Sequence, residues 1–294
     1  MKTVKLGGLA VHRIQEMVAN LPFSMVLPQV GAEDLKSLRR WYWDEVLSED
    51  PAQAQFTLSV HSYVLQVDGR NVLVDGCNGN DKTRSVPFAN QLRTPYLDEL
   101  ARCGLQPQDI DLVLCTHLHA DHVGWNTRLT DGRWVPTFPR ARYLFGKRDY
   151  AFYSTQTHEG LHREAYLDSV LPVVEAGRAD IVDETTCVHR EIGDGVWLEP
   201  AFGHSPGSCV VHARRGGERA LFSGDTFHHP VQLLRPDLEF FADEDPRQAV
   251  ATRQRLLAAH ADADTVFFPA HFAGTSAGRV RRDGAAYHYE FIPG

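Results

Sequence analysis

The stretch from Cys115 to Trp125, CTHLHADHVGW, concentrates metal-ligating atoms: His117, His119, Asp121 and His122 fall within six residues. Imidazole nitrogen and carboxylate oxygen suit Zn²⁺, and they also serve Fe, Mn or Co. His117, His119 and Asp121 alternate, so extended backbone puts their side chains on one face. Gly124 then permits a sharp turn. The apolar run IDLVLC (110–115) comes just before, so the donors sit at the end of a buried strand. Taken alone, the string also reads as a solvated polar loop.

A pair of cations needs more ligands than one loop supplies, and they must arrive from separate strand ends. The chain offers three, each just beyond an apolar run: His204 in GHSPG, Asp225 in FSGD and His271 in FFPAH. One such residue alone reads as a surface group. Three in order behind HxHxDH read as a ligand set.

The elements that must position these groups are legible in outline. FTLSVHSYVLQV (56–67), the turn Asp68-Gly69 and NVLVD (71–75) form a β-hairpin pattern. Leu92 to Cys103 has helical spacing and ends at Gly104. Strands are expected at 110–115, 141–145, 196–202 and 265–268, with a pair at 209–213 and 219–223 around Gly216-Gly217. Helices are expected near 150–153 and over 247–260. Residues 1–55 show few β alternations and several aromatics, among them Phe23, Trp41, Tyr42 and Trp43. No linker divides the chain, so we expect a layered α/β domain over 1–294, with 1–55 as an N-terminal extension packing on it.

The chain has 294 residues, 43% hydrophobic and 23% charged, with net charge −8. Apolar material is ample for a core. Arg279-Val-Arg-Arg282 is the nearest thing to a basic block, so nucleic acid is disfavoured as a substrate. No segment approaches the roughly 20 apolar residues of a membrane span, and the N-terminus lacks a secretory pattern. The five cysteines (77, 103, 115, 187 and 209) contain no CxxC and read as reduced thiols of a cytoplasmic protein.

The motifs THLHADH, GHSPG, SGD and PAH, spread from about residue 60 to 275, resemble those of the metallo-β-lactamase-fold hydrolases. The resemblance implies a four-layer αββα sandwich, α/β (α+β) in class, with a binuclear site at one edge. By it, His117, His119 and His204 hold one metal, while Asp121, His122 and His271 hold the second. Asp225 bridges them, and two Zn²⁺ are the expected cofactors. Asp75 matches the acidic residue that orients a ligand histidine, although a turn residue before Gly76 is an equal reading.

Such a site implies hydrolysis by a metal-bridging hydroxide, with Asp121 and Asp225 as proton acceptors. Within the family, an Asp at position 225 argues against β-lactam hydrolysis, and His119 against the oxygen-reducing diiron branch. The absence of a cationic groove disfavours glyoxalase II-like chemistry, and the extra domains of the nuclease relatives are not seen. The segment LHREAYLDSVLP (161–172) with GHSPG resembles N-acyl-homoserine lactonases. Those enzymes place Tyr three residues after the bridging Asp, where this chain has His228, as in the methyl-parathion-hydrolase-like members. His228 is thus either a donor to the oxyanion and acid for the leaving group, or, with His229, a packing residue near Pro230.

The expected activity is hydrolysis of a small, fairly apolar ester or lactone. An organophosphate triesterase is the alternative, and a non-catalytic metal sensor a third reading. Trp125, Phe227 and Phe272 are candidates for an apolar substrate pocket. Phe23, Trp41 and Trp43 could cover it or form a homodimer surface.

Overall fold

The computed structural model describes residues 3–42, 47–186 and 195–293; Trp43 and Cys187 lie outside them. Its strands, in chain order, are β1 (Thr3–Leu6), β2 (Leu9–Pro22), β3 (Gln55–Val67), β4 (Arg70–Val74), β5 (Leu112–Leu114), β6 (Thr127–Thr130) and β7 (Arg133–Pro136). Then follow β8 (Arg142–Gly146), β9 (Ala179–Val182), β10 (Val196–Pro200), β11 (Cys209–Arg215), β12 (Glu218–Gly224), β13 (Val266–Pro269), β14 (Gly278–Asp283) and β15 (Ala286–Phe291). One sheet has the order β1-β2-β3-β4-β5-β8-β9 and the other β10-β11-β12-β13-β14-β15, while β6 and β7 form a separate hairpin.

Alternation along each central strand divides the core. In β4 and β5, Val72, Val74, Leu112 and Leu114 face the other sheet, where they meet Val211, Phe222 and Phe268. Leu73 and Val113 point the opposite way, onto Tyr96, Leu100, Val170 and Val173 of the outer helices. The second sheet repeats the pattern. Leu221 and Phe267 turn outward onto Leu256 and Leu257 of the helix Pro246–His260. Helices, sheet, sheet and helix give the four-layer αββα sandwich. Strands buried on both faces explain the near-continuous apolar runs of the sequence.

The hairpin β3–β4 pairs antiparallel as its pattern indicated, and so do β11 and β12 around Gly216-Gly217. The helix expected from Leu92 begins only at Tyr96, because Pro95 disfavours helical backbone just before it. Two regions differ more. Residues 3–22 are strands β1 and β2 at the edge of the first sheet, pairing with β3. A β-bulge between Gln15 and Met17 breaks the period of two in β2, which hid the alternation. The hairpin β14–β15 was also unread, because its outward positions are arginines that look like a charge run.

Parallel pairing of β4 with β5, β5 with β8 and β12 with β13 brings several strand carboxyl ends to one edge. Asp75 follows β4, the THLHADH loop follows β5, Asp225 follows β12 and His271 follows β13. Ligands of α/β sheets collect in that position.

Candidate metal centre

All seven residues of the expected ligand set converge at this edge. Ligating atoms of His117, His119 and His204 lie within 4.8 Å of one another, and so do those of Asp121, His122 and His271. Asp225 stands between the two groups. Its Oδ2 is 3.2 Å from His204 Nε2, and its Oδ1 is 3.2 Å from His122 Nε2 and 3.0 Å from His271 Nε2. Asp121 approaches the second group, with Oδ2 3.6 Å from His271 Nε2 and 3.8 Å from His122 Nε2.

Local structure explains the convergence. After β5 the chain stays extended through His119, then turns into the short helix Ala120–Val123, which swings Asp121 and His122 toward Asp225. Asp149 lashes this loop to GHSPG: its carboxylate accepts from Leu118 N at 3.0 Å, Ser205 Oγ at 2.8 Å and Gly207 N at 2.5 Å. Burial pushes the Asp149 carboxyl up to about 6, against these donors.

Each histidine of the expected set has its outer ring nitrogen engaged, which fixes ring orientation. His117 Nδ1 meets Thr116 Oγ1 at 3.1 Å, and His122 Nδ1 meets Asp75 Oδ2 at 2.9 Å. His204 Nδ1 meets Asp243 Oδ1 at 2.9 Å, and His271 Nδ1 meets the Ser59 carbonyl at 3.0 Å. His119 is reversed: its Nε2 faces Tyr153 OH at 2.8 Å, so Nδ1 faces the cluster. Asp75 thus sits beside His122, and Thr116 N donates to its other oxygen at 2.7 Å.

The inward atoms fit cations. His117 Nε2 is buried without a hydrogen-bond partner, a costly state for a native polar atom unless an ion or water satisfies it, while His122 Nε2 and Asp225 Oδ1 face each other at 3.2 Å without hydrogen-bond geometry. Burial, reinforced by neighbouring rings, holds His117 and His119 well below the ordinary histidine range, so they present neutral nitrogens. Burial also opposes ionisation of Asp225, but His122, His271, His204 and His228 outweigh it and hold the carboxyl well below its usual range. Nitrogen and oxygen donors in this mixture are those of Zn²⁺ and its neighbours.

His228 reaches the cluster as well. Its Nε2 is 3.3 Å from Asp225 Oδ2, and its ring stacks on Phe240 with centroids 3.5 Å apart. Neither ring nitrogen has a hydrogen-bond partner, and burial lowers its pKa to about 4. His229 points away, into a cage of Phe23, Tyr42 and Phe56.

The structure does not bring the three pocket candidates to the cluster. Trp125 is buried against Tyr96, its indole N–H donating to Glu16. Phe227 packs on Phe267, and Phe272 on Tyr289, both within the core beneath the second sheet. Of the N-terminal aromatics, Phe23 is in the core and Trp41 stacks on His288 at the surface. Sequence reasoning missed Asp243, Tyr153, Phe240 and His162, whose ring stacks on His119 at 4.0 Å. Asp243 gave no signal because it precedes a helix, in Asp-Glu-Asp245, where acidic residues are ordinary caps.

A two-sheet sandwich with a buried His/Asp cluster at the carboxyl edge of its strands defines the class as the metallo-β-lactamase fold. The chain belongs to the metallo-beta-lactamase superfamily, whose family model matches residues 56–271. An N-acyl homoserine lactonase of Bacillus thuringiensis is 25% identical over 68% of this chain and 75% of its own length. A ribonuclease of Thermus thermophilus is 30% identical over 65% of this chain, which spans only 40% of that protein. Among solved structures, the hydrolase AbOPH of the beta-lactamase superfamily superposes with a TM-score of 0.80, at 20% identity, over 99% of this chain and 97% of that one. AidC, a dizinc quorum-quenching lactonase, does so with a TM-score of 0.78 at 19% identity, over 99% and 98%. At those identities the likeness is one of fold.

Proposed function

We propose that this chain is a binuclear metal-dependent hydrolase of a small, fairly apolar ester or lactone. The observation that carries the reading is the position of Asp225, whose carboxylate reaches both ligand groups: Oδ2 is 3.2 Å from His204 Nε2 and from His271 Nε2, and Oδ1 is 3.2 Å from His122 Nε2. A structural zinc site needs only four ligands and closes itself off; seven donors sharing a carboxylate suit two cations with open positions. In this reading His117, His119 and His204 hold the first, Asp121, His122 and His271 the second, and Asp225 both. Two Zn²⁺ there would lower the pKa of a water toward neutrality and polarise the substrate carbonyl.

The chain's own groups then move protons. Asp121, whose side chain is 29% exposed, is the ligand carboxylate open to solvent. It takes the proton from the attacking water and returns one to the leaving alkoxide, while Asp225, 5% exposed, keeps its charge at the centre. His228 is uncharged near neutral pH, and its Nε2, 3.3 Å from Asp225 Oδ2, is the ring nitrogen that faces the cluster. Aimed beside Asp225, it donates to the oxyanion that develops as the carbonyl is attacked.

A lactone is favoured by the lactonase relative. An organophosphate triester is the second reading, favoured by His228 where the lactonase pattern carries Tyr. Net charge −8 weighs against the polyanionic substrate of a nuclease. Among the described residues no helix is long and apolar enough to cross a membrane. Cys77, Cys115 and Cys209 are buried free thiols, which supports a reducing, cytoplasmic location.

The test is turnover of p-nitrophenyl esters, lactones and phosphotriesters with and without chelator, beside metal analysis of protein purified without added zinc. We expect lactone or ester turnover that chelator abolishes and Zn²⁺ restores. Preference for triesters would promote the second reading, and no turnover on any substrate would leave a metal-binding sensor.

A further inference from the structure

Glu16 is a buried carboxylate, 6% exposed, far in sequence from every motif that carries chemistry. It is the extra residue of the bulge in β2, between Gln15, which pairs with His61, and Met17, which pairs with Val60. A bulge re-aims a side chain that regular pairing would direct elsewhere. Here it delivers the carboxylate to two loops at once.

The first loop follows Asp75. Glu16 Oε2 accepts from Asn78 N at 2.8 Å and Asn78 Nδ2 at 3.2 Å, and Oε1 accepts from Gly79 N at 3.0 Å. The second loop follows His122: Trp125 Nε1 donates to Oε1 at 2.6 Å. Thr94 Oγ1 adds a fifth donor at 3.3 Å. Every partner is a donor, so the ionised carboxylate is the form that fits. Burial raises its pKa, against the donors from Asn78, Trp125 and Gly79.

These loops need an outside restraint. Asp75, Cys77 and Gly79 all have left-handed backbone, with φ of 62°, 45° and 79°, a conformation that Asp and Cys adopt at a cost. The two loops are laced together by Gly76 N to His122 O at 2.6 Å, Trp125 N to Gly76 O at 2.6 Å and Gly124 N to Cys77 O at 2.7 Å. Both contain one half of the Asp75–His122 contact, which aims His122 Nε2 at Asp225.

We propose that Glu16 is a positioning residue for the second metal: by clamping both loops it holds Asp75 in register with His122. The inference rests on the two-cation reading above. It gives the N-terminal strand a part in the site, although none of its side chains belongs to the ligand set.

The experiment is Zn²⁺ titration against a chromophoric chelator, with native chain, Glu16→Gln, Asp75→Asn and the double variant. Gln keeps the shape but turns an NH₂ toward N–H donors. Glu16→Gln should bind the first equivalent as the native chain does and the second about tenfold more weakly, the lower end of the loss seen when partners of a metal ligand are removed. Because Glu16 acts through Asp75, the double variant should bind the second equivalent no more weakly than Asp75→Asn alone. Native affinity for both equivalents in Glu16→Gln, or additive losses in the double variant, overturns the proposal. If Glu16→Gln does not fold, Trp125→Phe removes one donor to the same carboxylate and should weaken the same equivalent; unchanged binding there overturns it equally. A native chain that takes up no second equivalent overturns the two-cation reading itself, and this inference with it, before any variant is made.

Discussion

At the scale of single residues, Asp225 concentrates the electrostatics of the site. Four histidines, 122, 271, 204 and 228, together outweigh burial and hold its carboxyl ionised. Asp225→Asn keeps the volume while removing the charge and one acceptor oxygen. We expect metal content to fall from two equivalents to one or none, and turnover to fall about 100-fold. Elemental analysis with parallel kinetics reads both, and full occupancy at the native rate would remove Asp225 from its shared position. In the proposed reaction His228 bears on substrate preference instead of metal content. His228→Tyr restores the residue of the lactonase pattern, so the ratio of lactone to triester turnover should rise with two metals still bound. An unchanged ratio would mean that this ring, stacked on Phe240, does not meet substrate. The donors were legible because their types and spacing are chemically specific. Phe240 and Asp243 were not, since aromatic packing and a helix-preceding carboxylate look alike in every protein.

At the scale of elements, the turn after His122 shows how backbone shape sets ligand position. A Cβ on Gly124 would lie 1.8 Å from the Asn78 carbonyl oxygen, so the loop after β4 and the turn after His122 can touch only through glycine. Gly124→Ala must separate them. The expected cost is about 3 kcal/mol, the upper range for forced overpacking, accompanied by loss of the second metal. Denaturant midpoints and metal content measure the two effects, and a variant with native values of both would contradict the close approach. Central strands such as β4, β5 and β13 were readable because each has both faces buried and few polar interruptions. The bulge in β2 and the arginines of β14 defeated pattern reading for opposite reasons. One shifts the period by a residue, and the other sets charged side chains along the outward face of a paired strand.

At the scale of the whole molecule, the N-terminal segment and the chain after Asp225 share one apolar cluster. Phe23, Val26, Leu27, Leu35, Leu38 and Phe56 pack there with Val231, Leu238 and Phe240, so the wall behind His228 is part of the same body. His229 lies inside it, with ring centroids 5.1 Å from Phe23, 5.3 Å from Tyr42 and 5.0 Å from Phe56. Its Nδ1 accepts from Val231 N at 3.2 Å, while its Nε2 has no partner. Burial alone lowers its pKa to about 3. The unfolded chain therefore takes a proton near pH 6.5 that the folded chain refuses until about pH 3. More protons on the unfolded state mean that stability falls as pH drops through this window. His229→Phe removes the titration and, independently of pH, the bond from Val231. Relative to the native chain, the variant should gain about 2 kcal/mol on going from about pH 7.5 to about pH 5, from roughly 1.5 pH units below the unfolded pKa at 1.36 kcal/mol each. Urea unfolding of both proteins at the two pH values gives this difference directly, and contributions common to both, metal release included, cancel. A native-to-variant gap that does not move with pH would mean that this ring is charged in the fold, or reaches water.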